Sequence, residues 1–322
     1  MHPTIIKRLP VRVYEKSPIY VISKATATQK AKRVIIEHVK FDPLLQYGHI
    51  KRHGCDIFNL WDGILAEKLP AINDPMEEEV LNNITVDFIW RTMMDSNVNH
   101  LEFFLDWMAN PIIQPEKHTK VAVIFSGPKD GAHHIFLEFY RNEVLGEWCT
   151  YHTRNAKRDI LEPTRQAHFV YSVLNQIDGI KGELTDEGVL RSAIDKSTIS
   201  LDCMMGDSHP NITNFVLTTD KDSDIVLQAN DRRFVAYKVP PFTGDEAALL
   251  QHFDKPQTAR AFYQLLKRRD VAKYGRCFQK GCRPSTPGFA GLLPLLQSFE
   301  TRLIKGRDCS RRSFPQYLTV LQ

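Results

Sequence analysis

Residues 119–146 hold the side chains and the backbone pattern with the clearest chemical meaning in this chain. An apolar run at residues 121–125 is followed by a turn that contains glycine, and then by a segment with apolar residues at helical spacing. A strand, a tight loop and a helix in this order direct backbone N–H groups and a helix N-terminus at one anion. The stretch therefore predicts a strand–loop–helix unit able to bind phosphate, with an ordinary strand–turn–helix as the alternative.

The loop has the first glycine and the length of the phosphate-binding pattern, but not its reactive residues. The pattern is glycine, four residues, glycine, lysine, and then serine or threonine. Gly127 occupies the first glycine place. The places of the second glycine, the lysine and the magnesium-binding hydroxyl are taken by Ala132, His133 and His134. The candidate nucleotide-binding residues are Gly127, Pro128, Lys129, Asp130, Gly131, Ala132, His133 and His134.

The residue at the lysine place changes the charge of this loop. An unperturbed histidine has a pKa of about 6.5, so His133 is expected to be mostly neutral at pH 7. It is also shorter than lysine, and the loss of a charge-assisted hydrogen bond costs about 1.5–3 kcal/mol. His134 offers no hydroxyl to magnesium, and Asp130 adds a negative charge beside a site for polyphosphate. These departures predict weak nucleotide binding.

The composition is that of a globular protein with one large domain or two ordinary ones. The chain has 322 residues, 43% apolar and 25% charged. Its 42 basic and 38 acidic residues give a net charge of +4, which permits nucleic-acid binding without arguing for it. No apolar run reaches the roughly 18 residues of a transmembrane helix, and the N-terminal residues lack the apolar core of a signal peptide, so we expect no membrane partner.

The cysteine pattern predicts reduced thiols rather than disulfides. The six cysteines are spread along the chain, and only Cys277 and Cys282 lie close together. Their spacing is loose and no second pair follows, so we expect no metal site there. We therefore expect an intracellular, reducing compartment, which leaves open a viral replication site, a host nucleus or a cytoplasm.

The order of apolar patterns predicts a parallel α/β core with helical segments before and after it. Strands are expected at residues 121–125, 168–177, 212–219 and 234–239, and a β-hairpin at 200–211. Helices are expected at residues 28–40, 76–97, 98–109, 186–195, 246–253, 257–269 and 292–304. Residues 41–61 and 148–164 are expected to be irregular. We divide the chain into an extended lead-in (1–75), a collar-like helical segment (76–118), the core (119–243) and a C-terminal helical segment (244–322).

Several short stretches carry a resemblance to a known family. They are IFNLW at 57–61, FFLDWMA at 103–109, VLNQ at 173–176, NFVLTTD at 214–220, NDRRF at 230–234 and ARAFYQLL at 259–266. In this order and spacing, the chain from about Phe58 to its end resembles the superfamily III helicase domain, an AAA+ ATPase, of primase–helicases from large DNA viruses and mobile elements. The resemblance implies an α/β P-loop NTPase fold of the AAA+ kind, with a parallel sheet flanked by helices. It also implies ATP and magnesium as cofactors, and single-stranded DNA and further copies of the chain in a hexameric ring as partners.

The resemblance also assigns roles to residues outside the loop. The family places ATP between subunits, where a carboxylate organises magnesium, a polar residue positions water and a neighbour's arginine stabilises the transition state. The corresponding residues here are Asn175, Gln176, Asp220, Arg232 and Arg233. Gln176 stands where the carboxylate belongs, and Asp220 where the family has asparagine. Asp178 follows two residues after Gln176, and we expect that displacement to change the direction in which its side chain points.

The two arginines are the best-preserved candidates, with an ion-paired turn as the alternative interpretation. An arginine adds bidentate positive charge to a transferred phosphoryl group. The hairpin at residues 200–211, which contacts DNA through lysine in the family, has two aspartates and no lysine or arginine here. Phosphate contacts need basic groups, so this hairpin is poorly suited to DNA.

Three hypotheses stay open. The first is a superfamily III helicase-like domain with impaired or lost ATP hydrolysis. The second is an active ATP-driven DNA helicase that uses Lys129 for phosphate and Asp178 or Asp220 for metal. The third is a scaffold without ATPase activity that binds nucleic acid or protein through the basic residues at 24–40 and 267–269.

Overall fold

The first described part of the chain forms two small sheets. The computed structural model describes residues 19–22, 33–36, 38–129, 131–155, 171–180, 188–200, 208–220 and 231–271. Strands β1 (Ile19–Ile22) and β2 (Arg33–Ile36) form an antiparallel pair. Strands β3 (His38–Lys40), β4 (Gly48–Arg52) and β5 (Cys55–Asn59) form a three-stranded sheet with β5 in the middle.

Two expectations for this region are wrong. Residues 33–36 and 38–40 are strands, not part of a helix, because a β-branched run at 34–36 pairs with β1 and because β3 pairs with β5. Residues 41–61 are not irregular throughout, since they contain the β4–β5 hairpin. Its turn is made by His53 and Gly54, both at positive φ.

Two helices precede the central sheet. Helix α1 (Pro75–Thr92) begins at Asp74, whose carboxylate accepts a hydrogen bond from the Met76 amide. Helix α2 (Val98–Ile113) begins at Asn97, whose side chain caps it in the same way. The expectation that α2 ends before Pro111 is wrong. Pro111 stands in the last turn, where its missing N–H removes a single helical bond, and the apolar residues there are buried.

The centre of the fold is a five-stranded parallel sheet. Strands β6 (Ala122–Ser126), β7 (Thr150–Thr153) and β8 (Leu174–Ile177) precede a short antiparallel pair, β9 (Thr198–Ser200) and β10 (Ser208–Pro210), and then β11 (Asn214–Thr219) and β12 (Phe234–Lys238). The sheet order is β12-β6-β11-β8-β7, and every neighbouring pair is parallel. The predicted parallel sheet is confirmed.

The sheet differs from the expectation at two strands. Residues 150–153 form the edge strand β7, so the segment 148–164 is not irregular throughout. The strand expected at 168–177 is shorter, and β8 begins at Leu174. The hairpin expected at 200–211 has its two paired strands, while its turn, residues 201–207, lies outside the described residues.

Helices cover both faces of the sheet. Helix α3 (Ala132–Phe139) follows β6 and continues as a π-helical segment, Tyr140–Leu145. It packs on one face together with α2, α5 (Glu246–Phe253) and α6 (Pro256–Lys267). Helix α4 (Gly188–Asp195) packs on the other face. None of the helices in the described part of the chain is both long and apolar enough to cross a membrane. The helix expected at 292–304, Cys277 and Cys282 lie outside the described residues.

Candidate functional site

The candidate site lies at the carboxyl edge of the central sheet. Parallel strands bring their carboxyl ends to one edge, and ligands of open α/β sheets bind outside that edge. Strand β6 ends at Ser126 and α3 begins at Ala132, so the candidate loop lies between them. The Gly127 amide donates to the Thr219 carbonyl at 3.0 Å, which ties the loop to the end of β11. The strand–loop–helix unit expected from the sequence is present, and Asp130 alone of its residues lies outside the described part.

The glycines of the loop lie in close contact with their surroundings. A Cβ atom on Gly127 would stand 2.5 Å from the Val239 carbonyl oxygen. A Cβ atom on Gly131 would stand 2.8 Å from two ring atoms of His133 and 2.9 Å from the Pro128 carbonyl oxygen. Real Cβ atoms do not approach other atoms so closely. The loop therefore needs glycine at both positions, and it closes around the His133 ring.

His133 occupies the inside of the loop. Its side chain has no solvent exposure. Its ring stacks on Phe125 with centroids 5.8 Å apart and lies tilted against His134 with centroids 4.2 Å apart. Neither ring nitrogen has a hydrogen-bond partner among the residues that the structure describes. Burial, and then the neighbouring His134, lower the pKa of His133 to about 3, while Asp178 acts in the opposite direction. The lysine place of the loop therefore holds a neutral group at pH 7.

Helix α3 directs its N-terminus at this loop without a side-chain cap. Its N-cap is Gly131, and among the residues that the structure describes no side chain caps the first turn. Two loop amides are used internally, because Gly131 donates to Pro128 at 2.9 Å and His134 donates to Gly131 at 3.0 Å. A helix N-terminus carries a partial positive charge from its aligned peptide dipoles. The loop thus keeps one feature of an anion site, although part of its amide set is already bonded.

A buried carboxylate lies where β8 ends. The Oδ2 atom of Asp178 accepts a hydrogen bond from His152 Nε2 at 2.6 Å. Its Oδ1 atom accepts from Thr218 Oγ1 at 2.9 Å and from Gln176 Nε2 at 3.1 Å. Burial opposes ionisation of this group, but the hydrogen bonds outweigh it and lower the pKa of Asp178 to about 2. Asp178 is therefore an anion at pH 7, held by donors from three strands.

The expectation that Asp178 points in a different direction from Gln176 is wrong. Side chains two residues apart in a strand share a face, and Gln176 donates directly to Asp178. Asn175 faces the opposite side of the sheet, where its amide donates to Ser172 and Thr213, both at 2.8 Å. Of the residues named from the sequence in this strand, Asn175 lies away from the loop and Gln176 lies toward it. The alternation of strand residues was the signal that could have favoured Asp178.

Asp220 lies beside the loop, just after the end of β11. Its carboxylate is 3.4 Å from Lys129 Nζ, and the two side chains are 40% and 79% exposed. An exposed ion pair of this kind contributes about 0–1 kcal/mol, so Lys129 is not fixed in place by it. The structure brings Asp220 and Lys129 together, and both lie at the same edge of the sheet as Asp178.

Arg232 and Arg233 lie at the opposite edge of the sheet, just before β12 begins. Arg233 Nε is 2.7 Å from Asp195 Oδ2, and its Nη1 is 3.0 Å from Asp231 Oδ1. Arg232 Nη2 is 3.5 Å from Asp195, and its side chain is 56% exposed. The five residues of β6, at about 3.3 Å each, separate this edge from the loop. The structure therefore does not bring the arginines to the candidate loop of their own chain.

The basic residues at 267–269 are largely paired with acids. Arg269 is bonded to Glu102 and to Asp106, both on α2, and all three side chains are nearly buried. The guanidinium of Arg268 lies 2.8 Å from Glu78 on α1. Two of the three cations in this run thus stabilise helix packing, which leaves little free charge for a partner.

The residues at the site depart from the magnesium–ATP pattern that the sequence resemblance implies. The lysine place is neutral, and His134 has no hydroxyl for the metal. Within the described ranges, no group of three or more histidine, cysteine or acidic side chains is arranged to hold a metal ion. Asp178 is ionised, but its oxygens already accept three hydrogen bonds.

Comparison with known proteins shows the fold. No protein-family profile and no curated protein matches the sequence. The apo structure of the NrS-1 C-terminal region (305–718) is similar with a TM-score of 0.57 and 14% identity, over 85% of this chain and 68% of that chain. An A-form apo structure of the same region gives a TM-score of 0.54 and 15% identity, over 83% and 64%. A structure of JCV helicase gives a TM-score of 0.38 and 14% identity, over 74% and 62%.

The chain spans about two thirds of the length of the NrS-1 chains that it matches. At such low identity the likeness concerns the fold alone. The chain has a mixed α/β fold of the P-loop NTPase kind, with a five-stranded parallel sheet flanked by helices.

Proposed function

We propose that this chain is a superfamily III helicase-like ATPase domain in which ATP hydrolysis is impaired or lost. The order of the family's sequence stretches and the P-loop NTPase-like sheet support the first half of the proposal. The observation that carries the second half is the buried, neutral His133 ring inside the phosphate loop.

Phosphoryl transfer depends on cations that neutralise charge as it develops on the transferred group. A neutral ring at the lysine place removes a bond worth about 1.5–3 kcal/mol in binding, and more in the transition state. Lys129 is the nearest loop cation, but it is highly exposed and already beside Asp220. We therefore propose that ATP binds weakly and that magnesium has no competent site.

We propose self-association and single-stranded DNA as further parts of this function. Arg232 is half-exposed at the edge of the sheet opposite the loop. Such an arginine can reach a nucleotide only in another copy of the chain, which is the arrangement that a ring of subunits provides. The acidic hairpin turn argues that any DNA contact is weaker than the family's.

Nucleotide binding and hydrolysis test the proposal directly. Melting temperature is measured with and without ATP and magnesium, and phosphate release is measured with single-stranded DNA. We expect a small shift in melting temperature and no stimulated release. DNA-stimulated turnover that disappears in both Arg232→Ala and Lys129→Ala would instead establish an active enzyme.

An active helicase with unconventional residues is the second candidate, and one observation favours it. The ionised Asp178 lies at the carboxyl edge, and Lys129 and Asp220 stand beside the same loop. In that case Lys129→Ala should lower turnover strongly, whereas Lys120→Ala, at the amino end of β6, should not. The scaffold hypothesis has less support, because Arg268 and Arg269 are already ion-paired.

A further inference from the structure

We infer that the loop binds a tetrahedral oxyanion, such as a terminal phosphoryl group, together with one proton that His133 takes up from solvent. The inference rests on the proposed function, in which the loop keeps the frame of a phosphate site without a permanent cation. It adds a condition that a lysine-containing loop lacks, because occupancy would depend on the protonation of a side chain.

Two independent features of the loop point to an anion. Helix α3 begins at Gly131, and within the described residues no side chain caps its first turn. The His134 amide is already bonded to the Gly131 carbonyl, so only part of the helix N-terminus can face a ligand. The fully buried His133 ring lies against both loop glycines, and within the described residues neither of its nitrogens has a partner. A buried polar group without a partner is costly, and a ligand with acceptor oxygens would satisfy it.

The chemistry of imidazole sets the protonation state of the complex. A neutral ring carries one N–H donor and one lone-pair acceptor, and the lone pair repels an oxyanion. A protonated ring donates from both nitrogens and carries a full positive charge. Binding therefore consumes one proton and one anion and forms no covalent bond.

Of the titratable and charged groups around the loop, His133 is the one that we expect to take up the proton. His134 lies tilted against it from the same helix, and Asp178 acts on it from the residue that follows β8. Asp178 stays ionised because its hydrogen bonds lower its pKa to about 2. Lys129 and Asp220 lie beside the loop and pair with each other. His134 and His152 are the other imidazole rings at the site. His134 is the one that lies against His133, so it needs a control variant.

The size of the effect follows from the fraction of protein that is competent to bind. Burial lowers the pKa of His133 to about 3, so about one molecule in 10⁴ carries the imidazolium at pH 7. The apparent affinity falls by the same factor relative to a permanent cation. Each unit by which the pH is lowered toward that value should raise the affinity about tenfold.

Sulfate is the probe, because it keeps its double charge over the whole pH range of the experiment. Binding to the full chain is measured by calorimetry at pH 5.5, 6.5 and 7.5, at constant ionic strength in potassium chloride. Each titration is run in two buffers with different ionisation enthalpies, which counts the protons taken up. We expect affinity to rise about tenfold per unit and uptake of about one proton per sulfate.

Three variants assign the proton to a residue. His133→Lys should bind sulfate with little pH dependence, and His133→Gln should lose binding. The matched control, His134→Gln, should keep both the pH dependence and the proton uptake. Should either His133 variant fail to fold, proton counting in the natural chain and in His134→Gln still decides the question.

Binding that is absent at every pH, or that takes up no proton, would overturn the inference. Loss of the pH dependence in His134→Gln would also overturn it, because the proton would then belong to His134. None of these measurements involves hydrolysis, so they can fail while the proposed loss of ATPase activity stands. Conversely, an ATPase assay that shows turnover would reject the proposed function without deciding the proton count.

Discussion

Replacing His133 by phenylalanine should make the folded state less sensitive to acid. The ring is fully buried and stacked on Phe125, so phenylalanine offers a similar shape that cannot titrate. In the natural chain, burial lowers the pKa of His133 to about 3, whereas the unfolded chain keeps a value of about 6.5. Between these values the unfolded chain binds a proton that the folded chain does not, so stability falls as the pH falls.

The expected size follows from the pH interval. At pH 5 the unfolded-state pKa lies 1.5 units above the solution pH, and each unit corresponds to 1.36 kcal/mol, so one such histidine costs about 2 kcal/mol. Burial lowers the pKa of His252 to about 4, so this residue also makes the fold less stable in acid. The His133→Phe variant keeps His252 and therefore keeps that loss of stability. Between pH 7 and pH 5, His133→Phe should therefore lose about 2 kcal/mol less stability than the natural chain.

Urea denaturation at pH 7 and pH 5 provides the measurement, monitored by circular dichroism for both proteins. Any constant offset from the larger phenylalanine ring cancels, because only the change between the two pH values is compared. An equal loss of stability in both proteins would refute the reasoning, since it would mean that His133 titrates normally in the folded state.

Three further predictions concern other parts of the structure. Arg269→Met should destabilise the fold by about 3–5 kcal/mol, because two nearly buried carboxylates lose their counter-charge. Arg268→Met, at an ion pair whose arginine is exposed, should cost under about 1 kcal/mol, and urea denaturation measures both variants. Gly127→Ala should lower stability by about 1–3 kcal/mol, because its Cβ would contact a carbonyl oxygen. Among the described residues a Cβ on the helical Gly188 meets nothing within 4 Å, so Gly188→Ala should stabilise the fold slightly, and thermal melting compares the two variants. Asp178→Asn should lower the free energy of unfolding by about 2 kcal/mol at pH 7, since the pKa of Asp178 is about 2 in the folded state and higher in the unfolded chain. Urea titrations should show the difference between variant and natural chain shrink as the pH falls toward 2.

The central sheet could be predicted because its inner strands carry continuous apolar runs. The apolar run of β6 and that of β11 have no interruption, and both strands are buried along their whole length. Strand β7 was not predicted because its sequence, Thr-Tyr-His-Thr, lacks apolar alternation. Among the described strands it pairs with β8 alone, at the edge of the sheet. The helix expected at residues 28–40 was wrong where it is described, because local periodicity carries no information about pairing with a distant strand.

The sequence predicted the position of the candidate site in the fold, but not the arrangement of its side chains. The spacing of residues located the loop between β6 and α3, and it identified the uncharged residue at the lysine place. The burial of His133 could not be read from the sequence, since it depends on Phe125 and on two glycines that close around the ring. The network around Asp178 could not be read either, because His152 comes from the edge strand that the sequence pattern did not show.

The ion-paired Arg269 has a consequence for the order in which this protein is completed during synthesis. Its partners on α2, Glu102 and Asp106, are separated from it by 167 and 163 residues along the chain. At about 5–20 residues per second, a ribosome adds Arg269 roughly 8–33 s after them. Until then the two carboxylates are more stable in water than in an apolar layer. We expect α2 to form its final contacts late, when the basic residues that follow α6 leave the ribosome.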